Sequence, residues 1–401
     1  MIDWDKAYAA RMERVLPSEI RELQKYMRQP DMILFGGGLP EPELFPTEAL
    51  AKAYARILGD PARAKQALQY SDTAGYMPLR EYIARYMATL QVDCKPENII
   101  LTAGSQQAID FIAKLFLSAG DTVLVEAPTY LGALRAFDTY EARYALLPSP
   151  FANAAEVKTE DGAKPRLGYV MCDFKNPTGT SFTLAERNRM LDLADEIDIP
   201  LIEDNAYEKL RYSGTPVRPL LSLDAERKGG IDNSRVIYTS TFSKIVAPSL
   251  RLGWVAASTT IIRKLEMIKQ ASDLAPAFLN QMVLLDVLEE AFGPAHVEKV
   301  CTLYRGRRDA MLAALEKYMP EGVTWSKPEG GLFIWVTLPK HMDAPALVKR
   351  ALVDFKVGAI SGKSCYGTPP DMNTLRLSFS MVPEARIDEG VRRLSNAIRA
   401  G

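Results

Sequence analysis

Asn98-Ile99-Ile100-Leu101-Thr102-Ala103-Gly104-Ser105-Gln106-Gln107 passes from a short apolar run, through a glycine, into a helix. Residues 98–102 read as a strand. Beyond Gly104 the apolar residues return at 108, 109, 112, 115 and 116, the spacing of one helix face. The same strand–turn–helix unit then recurs. Thr122-Val123-Leu124-Val125 follows Gly120-Asp121 as a strand, and Leu167-Gly168-Tyr169-Val170-Met171 is another. Thr183-Leu184-Ala185-Glu186 is a capping box that opens a helix to about Ile197. Pro200-Leu201-Ile202-Glu203-Asp204 and Arg235-Val236-Ile237-Tyr238-Thr239 continue the series, with Gly253-Trp254-Val255-Ala256 as a further strand. Strands alternating with helices at this spacing predict an α/β fold on a mostly parallel sheet. In such sheets ligands gather at the carboxyl ends of the strands, and the chemically capable residues fall there.

Outside this region the pattern changes. A long helical stretch rich in Lys and Arg runs from about Ala295 to Tyr318. Gly331–Val336 reads as a strand, Pro345–Phe355 as a helix and Thr374–Ser380 as an alternating strand, which predicts a second, smaller α+β domain. Residues 1–44 carry Pro30, Pro40 and Pro42 and are too short to fold alone. The expected organisation is an N-terminal segment or lid at 1–44 that joins the small domain, a large domain at 45–293 and the small domain at 294–401.

Composition excludes several function classes. The 401 residues are 47% apolar and 25% charged with a net charge of −1, so no basic excess points to nucleic acid. The N-terminus has no apolar signal core and no apolar run reaches membrane-spanning length, so the expectation is a cytoplasmic protein. Cys94, Cys172, Cys301 and Cys365 form no C-x-x-C pair, and the two histidines, His296 and His341, read as helix-start or surface residues. No metal site is expected. Acid–base work falls to Lys, Tyr, Asp or Glu.

Ser240-Thr241-Phe242-Ser243-Lys244 supplies a lysine flanked by hydroxyls, with Arg251 seven positions on. An ammonium beside a guanidinium and poor in carboxylate neighbours has its charged form disfavoured, so it can act as a neutral nucleophilic amine. The hydroxyls and Arg251 can hold a phosphate dianion. An amine with a phosphate clamp suits an aldehyde-bearing phosphorylated cofactor, pyridoxal phosphate. Gly104, Ser105 and Gln106 offer a second anion site at a helix start, or equally an ordinary N-cap after a tight turn. Tyr130, in Glu126-Ala127-Pro128-Thr129-Tyr130, can lie against a heteroaromatic ring or simply pack in the core. Asn176-Pro177-Thr178-Gly179 makes a tight turn that can aim an amide at the cleft, or is purely a turn. Asp204 closes an apolar strand, where a buried carboxylate needs a cation or donors. A pyridinium nitrogen meets that need, and Tyr207 can reach the ring hydroxyl. Arg376 stands mid-strand between Leu375 and Leu377 and can fork onto a carboxylate.

Taken in order, Gly104-Ser105-Gln106, Tyr130, Asn176-Pro177-Thr178-Gly179, Asp204-x-x-Tyr207, Thr241-x-Ser243-Lys244 and Arg376 resemble the fold-type I, aspartate-aminotransferase-like pyridoxal phosphate enzymes. Pro17–Glu22, Phe35–Pro40 and Leu68–Ser71 bring the chain nearest to the 2-aminoadipate/kynurenine aminotransferase group. The resemblance implies that Lys244 forms the aldimine and shuttles the Cα proton, with Asp204 on the pyridine nitrogen. It implies that Asn176 and Tyr207 bind the ring oxygen and Tyr130 stacks on the ring. Ser105, Gln106, Thr241, Ser243 and Arg251 would hold the phosphate, with Tyr70 reaching that of a neighbouring subunit in a homodimer. Arg376, assisted by Asn176, would take the substrate α-carboxylate. Thr241 stands where the family often has serine, and either hydroxyl donates. Cis peptides before Pro128 and Pro177 are also implied.

The rival readings are a structural or binding role, which requires the amine, acid, phosphate clamp and carboxylate fork to be coincidences, a transcription regulator on this fold, which needs a DNA-binding segment that some 40 residues cannot supply, and a C–S β-lyase, decarboxylase or racemase on the same cofactor. The shared residues prepare Cα chemistry without choosing its outcome. A further expectation concerns substrate. A short helix at Ser18–Met27 precedes Gly36-Gly37-Gly38, a glycine run suited to a hinge or to close ligand approach at Gly37. Arg21 on that helix would bind the distal carboxylate of an acidic substrate and swing out for aromatic or branched ones, or else merely pair with a nearby acid on the surface.

Overall fold

The computed structural model describes residues 2–15, 26, 29–147, 153–160, 162–290 and 292–401. Its strands, in chain order, are β1 (Ile33–Leu34), β2 (Ile99–Thr102), β3 (Thr122–Val125), β4 (Arg143–Leu146), β5 (Leu167–Val170), β6 (Leu201–Asp204), β7 (Val236–Thr241), β8 (Gly253–Ala256), β9 (Thr324–Trp325), β10 (Phe333–Thr337), β11 (Val357–Gly358), β12 (Ile360–Ser361) and β13 (Thr374–Ser378). Seven of them form one sheet in the order β2-β8-β7-β6-β5-β3-β4. The ladders from β7 to β4 are parallel, while β8 runs antiparallel to both β7 and β2. Six strands therefore point one way and β8 alone points back. The mostly parallel sheet expected from the sequence is present.

Every residue of β2, β3 and β5–β8 is buried. That is the state which near-continuous apolar runs prescribe when helices cover a parallel sheet. Helix Ser105–Phe116 packs on β7 and β8, and helix Leu220–Lys228 on β7. The predicted capping box is formed: Thr183 N–H donates to Glu186 Oε2 at 2.7 Å and Glu186 N–H to Thr183 Oγ1 at 3.2 Å. Sequence reading passed over β4. It is an edge strand with only Ala145 buried, so Arg143-Tyr144-Ala145-Leu146 lacks the apolar run that marks its neighbours.

A second, antiparallel sheet has the order β12-β13-β10-β9, and Arg376 sits at its centre opposite Trp335 and Ile360. The strand expected at Gly331–Val336 begins two residues later. Gly331 instead takes a positive φ of 71° and its N–H donates to Leu210 O at 2.9 Å, a turn pressed against Phe174. β1 pairs in parallel with β11, so residues from near the amino terminus join the carboxyl-terminal part of the fold. Helix Pro294–Tyr318 packs along helix Glu384–Arg399. Among the described residues no helix is long and apolar enough to cross a membrane. The four cysteines are free thiols.

Candidate active site

The carboxyl ends of β2, β3, β5, β6 and β7 share one edge of the large sheet. Because β8 runs backwards, its amino-terminal end falls on that same edge, which carries Arg251 to it. One cleft there is lined by Ser105, Gln106, Tyr130, Asn176, Asp204, Tyr207, Thr241, Ser243, Lys244 and Arg251, together with Met171, Ala206 and Pro248. Ten residues singled out in the sequence, from five different loops, thus meet in one place.

Lys244 ends a short 3-10 turn, Phe242–Lys244, capped by Thr241, whose Oγ1 accepts from Ser243 N–H at 3.1 Å. Its Nζ donates to Gly38 O at 3.3 Å. Burial lowers the amine from 10.5 to about 8, and the positive charges of Arg376 and Arg251 push the same way against Asp204. Asp204 is 1% exposed at the end of β6. Tyr169 Oη donates to its Oδ2 at 2.8 Å, while its Oδ1 has no hydrogen-bond partner among the described residues. Burial raises the carboxyl to about 6, opposed by the Tyr169 bond and by Lys244.

Below these lies a set of donors. Ser105 and Gln106 open the 12-residue helix Ser105–Phe116, whose first N–H groups have no partner within the helix. The Thr241 and Ser243 hydroxyls are 2.8 Å apart. Arg251, in the left-handed region at φ 52°, is held by Ala103 O at 2.6 Å and Pro248 O at 3.3 Å. Gly104 has φ 90°, and a Cβ there would stand 2.8 Å from the Arg251 guanidinium, so only glycine lets the arginine close over the turn. Tyr130 Oη is 3.4 Å from Gln106 Oε1, and burial pushes its phenol up to about 12. Gly132 makes room for the Tyr130 ring, which any Cβ would strike.

Above the cleft, Arg376 donates to Asn176 Oδ1 at 3.0 Å and to Gly36 O at 2.8 Å. Its guanidinium lies 4.5 Å over the Phe333 ring, which also meets Tyr207 edge-on at 5.8 Å. Burial holds the Tyr207 phenol well above its ordinary range, with Asn176 beside it pulling the other way. A Cβ at Gly38 would reach 2.6 Å from Phe333, whereas one at Gly37 would meet nothing within 4 Å. The steric demand in the glycine run falls on Gly38. Tyr169, Gly38, Phe333, Met171, Ala206 and Pro248 were not found from sequence. Tyr169 had a signal, being a phenol in an otherwise aliphatic buried strand, but its partner is 35 residues away.

Some expectations lie elsewhere. Arg21 and nearly all of the helix expected at Ser18–Met27 lie outside the described residues. Tyr70 is 83% exposed and does not line its own chain's cleft. His296 Nε2 is 3.0 Å from Ile245 O, a structural contact at a helix start. The peptides before Pro128 and Pro177 are cis, as implied.

The donor set fits pyridoxal phosphate. A bare carboxylate oxygen suits a protonated ring nitrogen, an amine with a lowered pKa suits an aldehyde, and a helix start with two hydroxyls and a guanidinium suits a phosphate. Comparison with known proteins agrees. The family model of aminotransferase class I and II matches residues 30–394. Aromatic-amino-acid aminotransferase 1 of Thermococcus litoralis is 40% identical over 99% of this chain and 95% of its own. The crystal structure of the α-aminoadipate aminotransferase of Thermus thermophilus, complexed with N-(5'-phosphopyridoxyl)-L-leucine, superposes with a TM-score of 0.88 at 37% identity over 100% of this chain and 99% of that one. That of Pyrococcus horikoshii kynurenine aminotransferase gives 0.89 at 38% over 99% and 98%. The chain belongs to the class I and II aminotransferases, and it is an enzyme that uses pyridoxal phosphate to move an amino group between an amino acid and a 2-oxo acid.

Proposed function

We propose that the enzyme exchanges amino groups between an L-amino acid of the 2-aminoadipate, aromatic or branched-chain class and a 2-oxo acid such as 2-oxoglutarate. The observation that carries the site assignment is the pairing across one cleft of a buried amine lowered to about 8 with a buried carboxylate that keeps one oxygen bare. Pyridoxal phosphate, when bound, supplies an aldehyde and an electron-withdrawing protonated ring. Lys244 Nζ would hold the cofactor through its aldehyde carbon and, once displaced by substrate, would be the base that takes up and returns the proton at the substrate Cα. Asp204 Oδ1 would hold the ring-nitrogen proton. Asn176 and Tyr207 would hold the ring oxygen and Tyr130 would cover the ring face. Gly104 lets the backbone approach, while Ser105, Gln106, Thr241, Ser243 and Arg251 bind the phosphate. Arg376, already oriented by Asn176 at 3.0 Å, takes the α-carboxylate. Reduction with borohydride should trap the cofactor on Lys244, and Lys244→Ala should bind it without a covalent bond. An adduct on any other lysine ends the assignment.

The substrate class is argued from chemistry and from kin named for 2-aminoadipate, aromatic amino acids and kynurenine. Arg21 takes the distal carboxylate of an acidic substrate, and Gly37, with no neighbour to crowd it, leaves space for a bulky one. A charge-assisted hydrogen bond contributes about 1.5–3 kcal/mol, so Arg21→Ala should lower kcat/KM for acidic donors roughly tenfold or more and spare aromatic ones. Equal losses in both classes remove Arg21 from the specificity argument. A panel of amino donors against 2-oxoglutarate tests the whole reading, since a lyase would release pyruvate and ammonia instead.

The same reading makes the active unit a homodimer. Tyr70 is exposed in its own chain and would complete the phosphate site of a second copy. Mixing Lys244→Ala and Tyr70→Phe subunits should restore activity through one intact site per heterodimer, and no recovery would make each subunit self-sufficient. The division into a segment at 1–44, a large domain at 45–293 and a small one at 294–401 belongs to this proposal as well. It is supported by the two sheets, which lie within residues 99–256 and 324–378.

A further inference from the structure

We infer that Tyr169 is a positioning residue for the cofactor-binding carboxylate: its hydroxyl fixes Asp204 Oδ2 so that Oδ1 is the oxygen presented to the pyridine nitrogen. The inference rests on the reading of Asp204 given above.

The arrangement follows from the sheet. β5 and β6 are parallel neighbours, with Tyr169 opposite Ile202. Residues 202 and 204 lie on one face of β6, because strand side chains alternate. Tyr169 stands on that face too, and a phenol is long enough to reach the diagonal neighbour one pleat further on. The oxygen-to-oxygen distance is 2.8 Å. Tyr169 is fully buried and its ring meets Phe137 at 5.8 Å and 73°, so the hydroxyl has little freedom to turn away. Burial and the Asp204 charge keep the phenol protonated far above its usual range, which makes it a permanent donor.

A carboxylate turns readily about its last torsion, where the energy wells are broad and two-fold. A ligand meeting a freely turning Asp204 must stop that motion as it binds. With Oδ2 tied to Tyr169, the cost is met in folding, and the one unpartnered oxygen already faces the cleft. The hydrogen bond also favours the ionised carboxylate, the form that a pyridinium proton needs. No other described side chain donates to Asp204, so the task falls to this one tyrosine.

The test separates the ring nitrogen from the rest of the cofactor. Dissociation constants are measured by titrating the apo-protein with pyridoxal phosphate and with its 1-deaza analogue, in which C–H replaces the ring nitrogen. Wild type, Tyr169→Phe, Asp204→Asn and the double variant are compared, with thermal unfolding of each apo-protein recorded alongside. Wild type should prefer the natural cofactor by roughly tenfold or more, the worth of one charge-assisted hydrogen bond. Tyr169→Phe, which removes a single oxygen, should lower that ratio about fivefold while binding the deaza analogue like wild type. In Asp204→Asn the ratio should approach one, and adding Tyr169→Phe should change it no further. An undiminished ratio in Tyr169→Phe overturns the inference, as does an equal loss of affinity for both ligands, which would reveal a merely structural tyrosine. A wild-type ratio near one would overturn the Asp204 reading itself, and this inference with it.

Discussion

Glu203 and Asp204 are successive residues of β6, both buried carboxylates, and they do opposite things. Strand alternation sends them to opposite faces of the sheet. On one face Glu203 is fully partnered: Leu220 N–H donates to Oε1 at 2.8 Å and Leu221 N–H to Oε2 at 3.0 Å. It thereby caps helix Leu220–Lys228, whose own N-cap, Pro219, offers no side-chain acceptor. Arg187 adds positive charge nearby, itself 2.8 Å from Asp173. On the other face Asp204 has one oxygen tied and one bare. Burial is the largest influence on both, raising Glu203 to about 7 and Asp204 to about 6. The difference lies in what relieves it. Arg187 and the Leu221 and Leu220 N–H groups partly relieve Glu203 from within the fold, whereas Asp204 keeps one oxygen without a partner among the described residues. A buried polar group that the fold itself completes is architecture, and one left incomplete at the wall of a cleft is a candidate for binding.

The sharpest way to break this contrast is to neutralise each acid. Asp204→Asn keeps shape and hydrogen-bonding capacity, so its unfolding midpoint should stay close to wild type. Its kcat/KM should fall by a hundredfold or more, because a preorganised charge at the reacting centre is lost. Near-normal turnover would show that the bare oxygen is not what the reaction uses.

Glu203→Ala should give the mirror image. It strands two helix-start N–H groups and opens a small cavity, at a cost of about 2–4 kcal/mol in denaturant unfolding. The kcat/KM of the folded fraction should stay within about twofold. The pH dependence has a definite sign. The folded-state pKa of about 7 lies above the ordinary 4.5, so the contribution of Glu203 is complete below 4.5 and is lost as pH rises through 7. The stability gap between variant and wild type should therefore be widest near pH 5 and narrower at pH 8. A gap that widens with pH would mean that the ionised form is the one the fold prefers.

The smallest effect concerns the amine facing Asp204. Lys244 in the apo-protein should lose its proton around pH 8, so its rate of covalent capture of the cofactor should rise about tenfold per unit below that pH and level off above it. Asp204→Asn removes the negative charge that favours the ammonium, so the inflection should move slightly lower. Stopped-flow absorbance across pH reads both, and an upward movement would contradict the assigned geometry.

Much of the site is legible in the sequence. Gly104, Ser105, Tyr130, Asn176, Asp204, Tyr207 and Lys244 each follow a recognisable apolar strand, and a strand end is a local property of the chain. Their residue types state a need, for an anion, a ring or a cation, that the immediate sequence does not meet. What remained invisible depends on which strands are neighbours and which way they run. Tyr169 reaches Asp204 only because β5 lies beside β6 with residue 169 opposite 202. Arg251 is a candidate from its spacing to Lys244, but it reaches the cleft because β8 is antiparallel, and nothing in Gly253-Trp254-Val255-Ala256 announces that direction. Lys244 and Arg376 find the carbonyls of Gly38 and Gly36 across 206 and 340 residues of chain. Most of the elements and most of the residue types that carry chemistry are local properties of the chain, because hydrophobic period and side-chain type act over a few residues. Strand order, strand direction and the meeting of Arg376 with Asn176 depend on the tertiary structure, because only packing of the whole chain brings such distant partners within hydrogen-bond reach.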